Sequence, residues 1–464
     1  MRKSLFILTI TAVLMGLIYI PAIAAAPVSY VSTIQVTNLD TVNEGNIILS
    51  FYAQDGSLIA SVDDTIGAGQ SNTYNTLPSE VPSGFNGSVV ISSSVPIASQ
   101  SNLAGKNSLG SRTHWASYTA FSAGSSNAYL PLLMANNYGY NTMYYVQNTG
   151  SANVDVNITY SDSTTNSITG LKPGASIKID QATESHTKTV FSAILNATGS
   201  EIAVVVVEYG NELFAYSGFG SGSTLPIMPI VNSNNYGYWS SILIQNTGSS
   251  DTTVTVSYVP SLAGTACTET QTIPAGASKI FAQYSFTVTP PSDVVLTTDC
   301  AFKQKFVGSA SVTSNSASQP LVAVVNQLNS SDHKGAAYSA FGQSSGAESV
   351  ILPIIHDRNY GYWTSWTIVN NGSSQLAAGS ITCTVSGKDG GGNSVSTSFS
   401  NPTALNVNES WLEQNNNKIA AGFVGGAICQ GPSGAKLIST VNQLGQGSSW
   451  TGIDSLLVYE GVNP

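Results

Sequence analysis

Apolar and polar residues alternate with a period of two at four places along the chain: "IILSFY" from Ile47, "VDVNITY" from Val154, "TVTVSY" from Thr253 and "SITCTV" from Ser380. Such alternation predicts a half-buried β-strand. Val154, Val156, Ile158 and Tyr160 fall on one face, and Asp155, Asn157 and Thr159 on the other. Each segment holds the same place in a longer recurring order. Before three of them stand "NNYGYNTMYYVQNTGS" from Asn136, "NNYGYWSSILIQNTGS" from Asn234 and "RNYGYWTSWTIVNNGS" from Arg358. Asn148, Asn246 and Asn370 are 98 and 124 residues apart, steps the size of a domain. A weaker first copy, "YVSTIQVTNLDT", keeps the eight-residue offset between Tyr30 and Asn38.

After the alternating strand comes a turn signal: "IGAGQ" at Ile66, "KPGAS" at Lys172 or "PAGAS" at Pro274. Their glycines admit the positive φ that tight turns need. Segments such as "GFNGSVVISSSVPIA" at Gly84 and "FVGSASVTSNSASQPLVAVVNQL" at Phe306 then read as hairpins closing each copy. Finally "ASYTAF", "FAYSGF" and "AAYSAF" lead through Gly/Ser stretches to "LPLL", "LPIM" and "LPII", where the next copy opens. Short strands every eight to twelve residues, with no sustained 3.6-residue apolar stripe, predict an all-β chain of antiparallel β-sandwiches. The expected organisation is a signal peptide (1–24) and four sandwiches, 25–126, 127–222, 223–348 and 349–464.

Composition narrows the setting. The 464 residues carry only 9% charged side chains and a net charge of −10, so nucleic acid is not an expected partner. Arg2 and Lys3 precede an apolar run from Leu5 to Ile20, and Ala22 and Ala24 give a small-x-small pattern. This predicts a secretory signal cut after Ala24, the alternative being an uncleaved membrane anchor. No second apolar run approaches spanning length, so the mature chain is expected without a membrane span.

The order Leu-Pro, Asn-Tyr-Gly-Tyr, Gln-Asn-Thr-Gly-Ser, alternating strand and Pro-Gly-Ala-Ser resembles the tandem immunoglobulin-like repeats of secreted bacterial surface proteins. The resemblance spans essentially the whole mature chain, and its motifs specify a fold rather than an activity. It implies export, surface display and no catalytic site. The first copy departs from it by lacking the Leu-Pro and Asn-Tyr-Gly segments, and the last by reading "NNGS".

The Asn-Gly and Thr-Gly pairs of the phrase are expected in hairpin turns. For its aromatic residues, Tyr138, Tyr140, Tyr236, Tyr238, Tyr360, Tyr362, Trp239, Trp363 and Trp366, two placements stand open. They are buried at the seam between sandwiches, or they form an exposed platform that stacks on sugar rings. Cys267 and Cys300 lie in the third copy and Cys383 and Cys429 in the fourth, so one disulfide within each copy is the simplest of three possible connectivities, and no C-x-x-C pair or nearby histidine favours the competing zinc site. "GQSSG" matches a nucleophile motif at Ser344 but lies in a Gly/Ser connection. His114, His186, His333 and His356 fall in different copies and are expected at the surface or in turns, and no aspartate pattern matches a calcium loop. No metal or cofactor is expected. Asn86, Asn157, Asn196, Asn329, Asn371 and Asn408 open glycosylation sequons.

These observations predict an exported, non-catalytic structural protein, a rod of four sandwiches in a surface layer, stalk or filament, with self-association or other surface proteins as partners. The alternative is a carbohydrate-binding or adhesion protein with glycans as ligands. The missing opening strand of the first copy adds one further expectation: another molecule could supply it by β-augmentation.

Overall fold

A computed structural model describes residues 26–75, 77–282, 294–296, 300, 305–316, 318–415 and 417–464. The expected signal peptide, 1–24, lies outside the described residues. The chain is all-β, and its sheets are antiparallel apart from one short parallel pairing. Strands fall into four successive groups, termed units below. Unit one holds β1 (Ser29–Asn38), β2 (Gly45–Ala53), β3 (Leu58–Ile66), β4 (Ser71–Tyr74), β5 (Gly87–Ser93), β6 (Ile97–Lys106) and β7 (Arg112–Thr119). Unit two holds β8 (Asn127–Met134), β9 (Asn141–Asn148), β10 (Val154–Tyr160), β11 (Thr165–Leu171), β12 (Ser176–Asp180), β13 (Val190–Thr198), β14 (Ile202–Tyr209) and β15 (Leu213–Ser217). Unit three holds β16 (Ile227–Ser233), β17 (Trp239–Asn246), β18 (Thr252–Ala263), β19 (Cys267–Ile273), β20 (Ser278–Ala282), β21 (Val294–Leu296), β22 (Phe306–Ser314), β23 (Leu321–Asn329) and β24 (Lys334–Ser339). Unit four holds β25 (Ser349–Asn359), β26 (Tyr362–Asn370), β27 (Thr382–Lys388), β28 (Ser394–Ser400), β29 (Ser410–Gln414), β30 (Phe423–Gln430), β31 (Leu437–Gly445) and β32 (Leu456–Glu460).

Unit two shows the common plan, with one sheet ordered β12-β9-β14-β15 facing another ordered β11-β10-β13-β8. The predicted alternation holds there, since Val154, Val156, Ile158 and Tyr160 are buried and Asp155, Asn157 and Thr159 are exposed. In unit four the two halves join through β25 and β26 into one continuous sheet. Strands read as closing hairpins, such as β5 and β6 or β22 and β23, are consecutive but lie in opposite sheets, so the connection crosses the sandwich.

The Leu-Pro segments become the edge strands β8 and β16, with proline where a missing N–H costs least, and in unit four β25, which pairs with β30 and, at its end, with β26. Opposite each proline the ladder skips a residue, between Phe191 and Ala193 in unit two, which makes a bulge. One buried tyrosine satisfies each bulge. The Tyr216 hydroxyl donates to Leu132 O and accepts from Leu132 N, Tyr338 does the same at Ile230, and Tyr459 at Ile354. A two-way backbone bridge adds a second anchor, between Tyr129 and Phe219, Ile227 and Phe341, and Ile351 and Val462. Unit one has no such strand among the described residues, and its second sheet ends at β3-β2-β5.

The asparagine of "QNTGS" is not in a hairpin turn. Asn38, Asn148, Asn246 and Asn370 end their strands fully buried. The Asn148 amide donates to Ala152 O and Leu171 O and its oxygen accepts from Gly150 N, a pattern repeated at the other three sites. Each side chain therefore pins the crossover to the neighbouring loop, because a buried amide must pair its donors and its acceptor.

The expected rod is not what the chain forms. Strands β7, β15, β24 and β32, one from each unit, pack together around a common axis, β7 meeting β15 and β32, β24 meeting β15 and β32, and β7 touching β24 across it, so the units close into a ring. Equivalent polar contacts join successive units: Ser88 Oγ to Gly174 O at 2.6 Å, Ser192 Oγ to Gly276 O at 3.2 Å, and Ser309 Oγ to Asn408 O at 2.6 Å. Gln35 Nε2 to Pro353 O at 3.2 Å and Ser117 Oγ to Val458 O at 2.7 Å close unit one onto unit four.

Candidate functional site

Two features gather at one end of the ring axis: three repeated tyrosine turns and a cluster of charged residues. Each Asn-Tyr-Gly-Tyr segment is a two-residue β-hairpin, with Asn137 and Tyr140 exchanging both backbone hydrogen bonds, as Asn235 and Tyr238 do. Its central residues have positive φ, 50° and 89° at Tyr138 and Gly139, 50° and 84° at Tyr236 and Gly237, and 50° and 83° at Tyr360 and Gly361. Glycine adopts this conformation freely, whereas a bulky side chain there is strained. Yet these tyrosines gain no burial, being 80%, 85% and 90% exposed. Strain repeated three times at exposed rings points to a surface role.

The second tyrosine of each turn leans inward. The Tyr140 hydroxyl donates to Glu212, its ring meets Phe214 edge-on, and the Tyr362 ring packs on Trp450, which itself packs on Trp115 of unit one. Burial, then the Glu212 charge, pushes Tyr140 up, and burial also raises Tyr238 and Tyr362. All three feel the Asp454 charge, which places the turns at a common end. The nine aromatic residues therefore do not share one role. Tyr138, Tyr236 and Tyr360 are exposed, Tyr140, Tyr238 and Tyr362 are half-buried toward the axis, Trp239 and Trp363 are half-buried, and Trp366 lies in the unit-four core.

Asp454 is the hub of the axial cluster. Its carboxylate accepts from Leu213 N of unit two at 2.7 Å and from Gly335 N of unit three at 2.8 Å, and its own N–H donates to Thr113 O of unit one at 3.0 Å. One residue of unit four thus holds the other three. Burial pushes its carboxyl well above the usual range, against the two N–H donors that favour charge. Around it stand Glu212, whose carboxylate also contacts His333 Nδ1 at 3.2 Å, and Lys334, which donates to Trp450 O and Ile453 O. Burial lowers Lys334 and lowers His114, whose Nε2–H donates to Asn211 O while Nδ1 accepts from the Thr113 hydroxyl. Of the histidines expected at the surface or in turns, His333 lies half-buried in a turn, His186 and His356 are half-buried, and His114 is buried.

Further along the axis a second polar layer closes a circuit. Ser217 Oγ donates to Thr119 O, Ser339 Oγ donates to Ser217 O, and Glu460 accepts from Ser339 N and from the Thr119 hydroxyl. Sequence reasoning missed both layers. The signal was there in the aligned strands: Thr119, Ser217, Ser339 and Glu460 each follow the tyrosine equivalent to Tyr118, Tyr216, Tyr338 and Tyr459.

The disulfides join Cys267 to Cys300 and Cys383 to Cys429, the latter directly opposed on β27 and β30. They fit an oxidising, extracellular setting. Ser344 lies in a turn between β24 and β25. Among the described residues no helix is long and apolar enough to cross a membrane, and no group of three metal-ligating side chains converges. No protein-family model matches the chain, and no curated protein matches it.

Proposed function

We propose that this is an exported, non-catalytic structural protein of the cell surface, of the tandem immunoglobulin-like kind its repeats resemble, acting as a rigid four-unit block rather than a rod. The observation that carries this reading is the axial closure, in which Asp454 ties unit four to the other three. A closed ring fixes the orientation of every unit, as a building block of a surface assembly requires. The two disulfides and the low charge support the extracellular setting. Fractionation of the producing cells with surface labelling of intact cells tests it. Labelled protein in the envelope or medium is expected, and retention in the cytosol would overturn it.

A second reading, glycan binding or adhesion, is favoured by the exposed and strained Tyr138, Tyr236 and Tyr360. Aromatic faces stack on sugars, and three tips held on one rigid end add avidity. A glycan array compared between the native chain and a variant with all three changed to serine decides it. Binding lost in the variant supports the reading, and no binding by the native chain removes it.

A further inference from the structure

We propose that the exposed tyrosine turns bind acidic polysaccharides, each ring stacking on a uronate whose carboxylate is held by a neighbouring cation: Lys188 beside Tyr138, Lys305 beside Tyr236 and Arg358 beside Tyr360. The inference rests on the glycan reading and adds to it the charge of the ligand and the residues that recognise it. The pairing follows from strand register. Ala135, Ser233 and Asp357 lead into the three turns, and opposite them across the sheet stand Thr189, Phe306 and Phe423. The residue before each of these partners is Lys188 in unit two, Lys305 in unit three and Gly422 in unit four. Where glycine takes the lysine's place, the first residue of the repeated phrase changes from asparagine, at Asn136 and Asn234, to Arg358. A cation thus accompanies all three turns, supplied from two different positions of the repeat. Both lysines are exposed, so packing does not account for them. Unit one lacks ring and cation together. Val28 and Ser29 stand in place of Tyr-Gly, and residues 75–86, which lead into β5, contain no lysine or arginine.

At Tyr236 the ring and its cation are already in contact, with Lys305 Nζ 4.2 Å from the ring centroid. An ammonium over one face leaves the other to the apolar face of a sugar. Lys188 is anchored at the base of the Tyr138 turn, because its neighbour Thr189 accepts from Ala135 N at 3.0 Å and donates its hydroxyl to Asn137 Oδ1 at 3.5 Å. Arg358 opens the third turn. Its Nε donates to the buried Asp357 at 2.9 Å and its Nη2 to Ile419 O at 3.2 Å, which fixes the guanidinium while 34% of the side chain stays exposed. Lysine and arginine carry donors only, so they select a group that only accepts, as a carboxylate does, over a sugar hydroxyl that does both. Glu184 and Asp332 lie in the neighbouring loops and offset the long-range field, so discrimination comes from direct contact between cation and carboxylate. Three such subsites on one rigid end favour a polymer that repeats its carboxylates.

The test compares the native chain with a Lys188→Gln, Lys305→Gln double variant on an array of polygalacturonate, alginate and hyaluronan. Each polymer is printed beside its methyl ester, which keeps the sugar rings and removes the charge. Arg358 is left in place because it also pairs with the buried Asp357. The native chain should bind the acids about tenfold or more tighter than the esters, the worth of a charge-assisted bond. The double variant should lose most of that preference while its thermal unfolding midpoint matches the native one, as expected for two exposed side chains. Equal binding of acids and esters by the native chain overturns the proposal and leaves the glycan reading standing. An acid preference undiminished in the double variant also overturns it, since the carboxylate is then read elsewhere. Binding to neither form removes the proposal and the glycan reading together.

Discussion

Glu208 offers a quantitative test of the buried seams. It sits fully buried on β14 at the boundary of units two and three, where one oxygen accepts from Asn326 Nδ2 at 2.7 Å and the other has no hydrogen-bond partner among the described residues. Burial pushes its carboxyl from 4.5 up to about 8, with the Asn326 bond opposing the shift. The folded state therefore holds a proton that the unfolded state releases. Between pH 4.5 and about 8 stability falls as pH rises, and the full shift corresponds to about 5 kcal/mol. Glu208→Gln copies the protonated shape and cannot ionise. Denaturant unfolding of both proteins at pH 4.5 and pH 8.5 isolates the effect, because the other raised carboxyls, Asp454 and Glu460, are common to both. The two proteins should be nearly equal in stability at the lower pH. At the higher pH the variant should be more stable by about 4 to 5 kcal/mol. Parallel pH profiles would refute the reasoning.

Other consequences are as direct. Asp454→Ala leaves the buried Leu213 and Gly335 N–H groups without an acceptor, so it should cost about 2 to 6 kcal/mol by denaturant midpoint and speed amide exchange in β15 and β24. Asn246→Ala removes two donated bonds and one accepted bond from a buried crossover, and should destabilise by about 3 kcal/mol in the same assay. Tyr138→Asn relieves left-handed strain at an exposed position and should raise the unfolding midpoint by about 1 kcal/mol. Replacing Cys383 and Cys429 by alanine opens a loop of 46 residues and should cost about 3 to 4 kcal/mol in thermal unfolding.

The strands were legible because period-two alternation reports directly on which face is buried, as in Val154–Tyr160. The Cys383–Cys429 pairing was legible because both residues sit on strands of one repeat. Strand partners were not, since adjacency in sequence suggests a hairpin while β5 and β6 pair into different sheets. The role of Asn148 was missed because asparagine followed by glycine serves turns and buried staples alike, and only burial separates them. Ring closure was hidden for a physical reason. It depends on contacts between residues hundreds of positions apart, Ser117 with Val458 and Thr113 with Asp454, and no local pattern encodes them. The exposed tyrosines stood out as a repeated phrase, but their strain appears only in the backbone angles.

The closed ring is most directly tested by one distance. All four cysteines are in disulfides, so spin labels at Leu109→Cys on the β6–β7 turn and Thr451→Cys beside Trp450 are unambiguous. Thr113 O and Asp454 N are 3.0 Å apart, and the few residues leading to each label keep the pair within about 35 Å. Pulsed electron resonance on labelled chains diluted with unlabelled ones should give a single short distance in that range. A rod of four domains would separate the same labels by roughly 100 Å, and that result would contradict the ring.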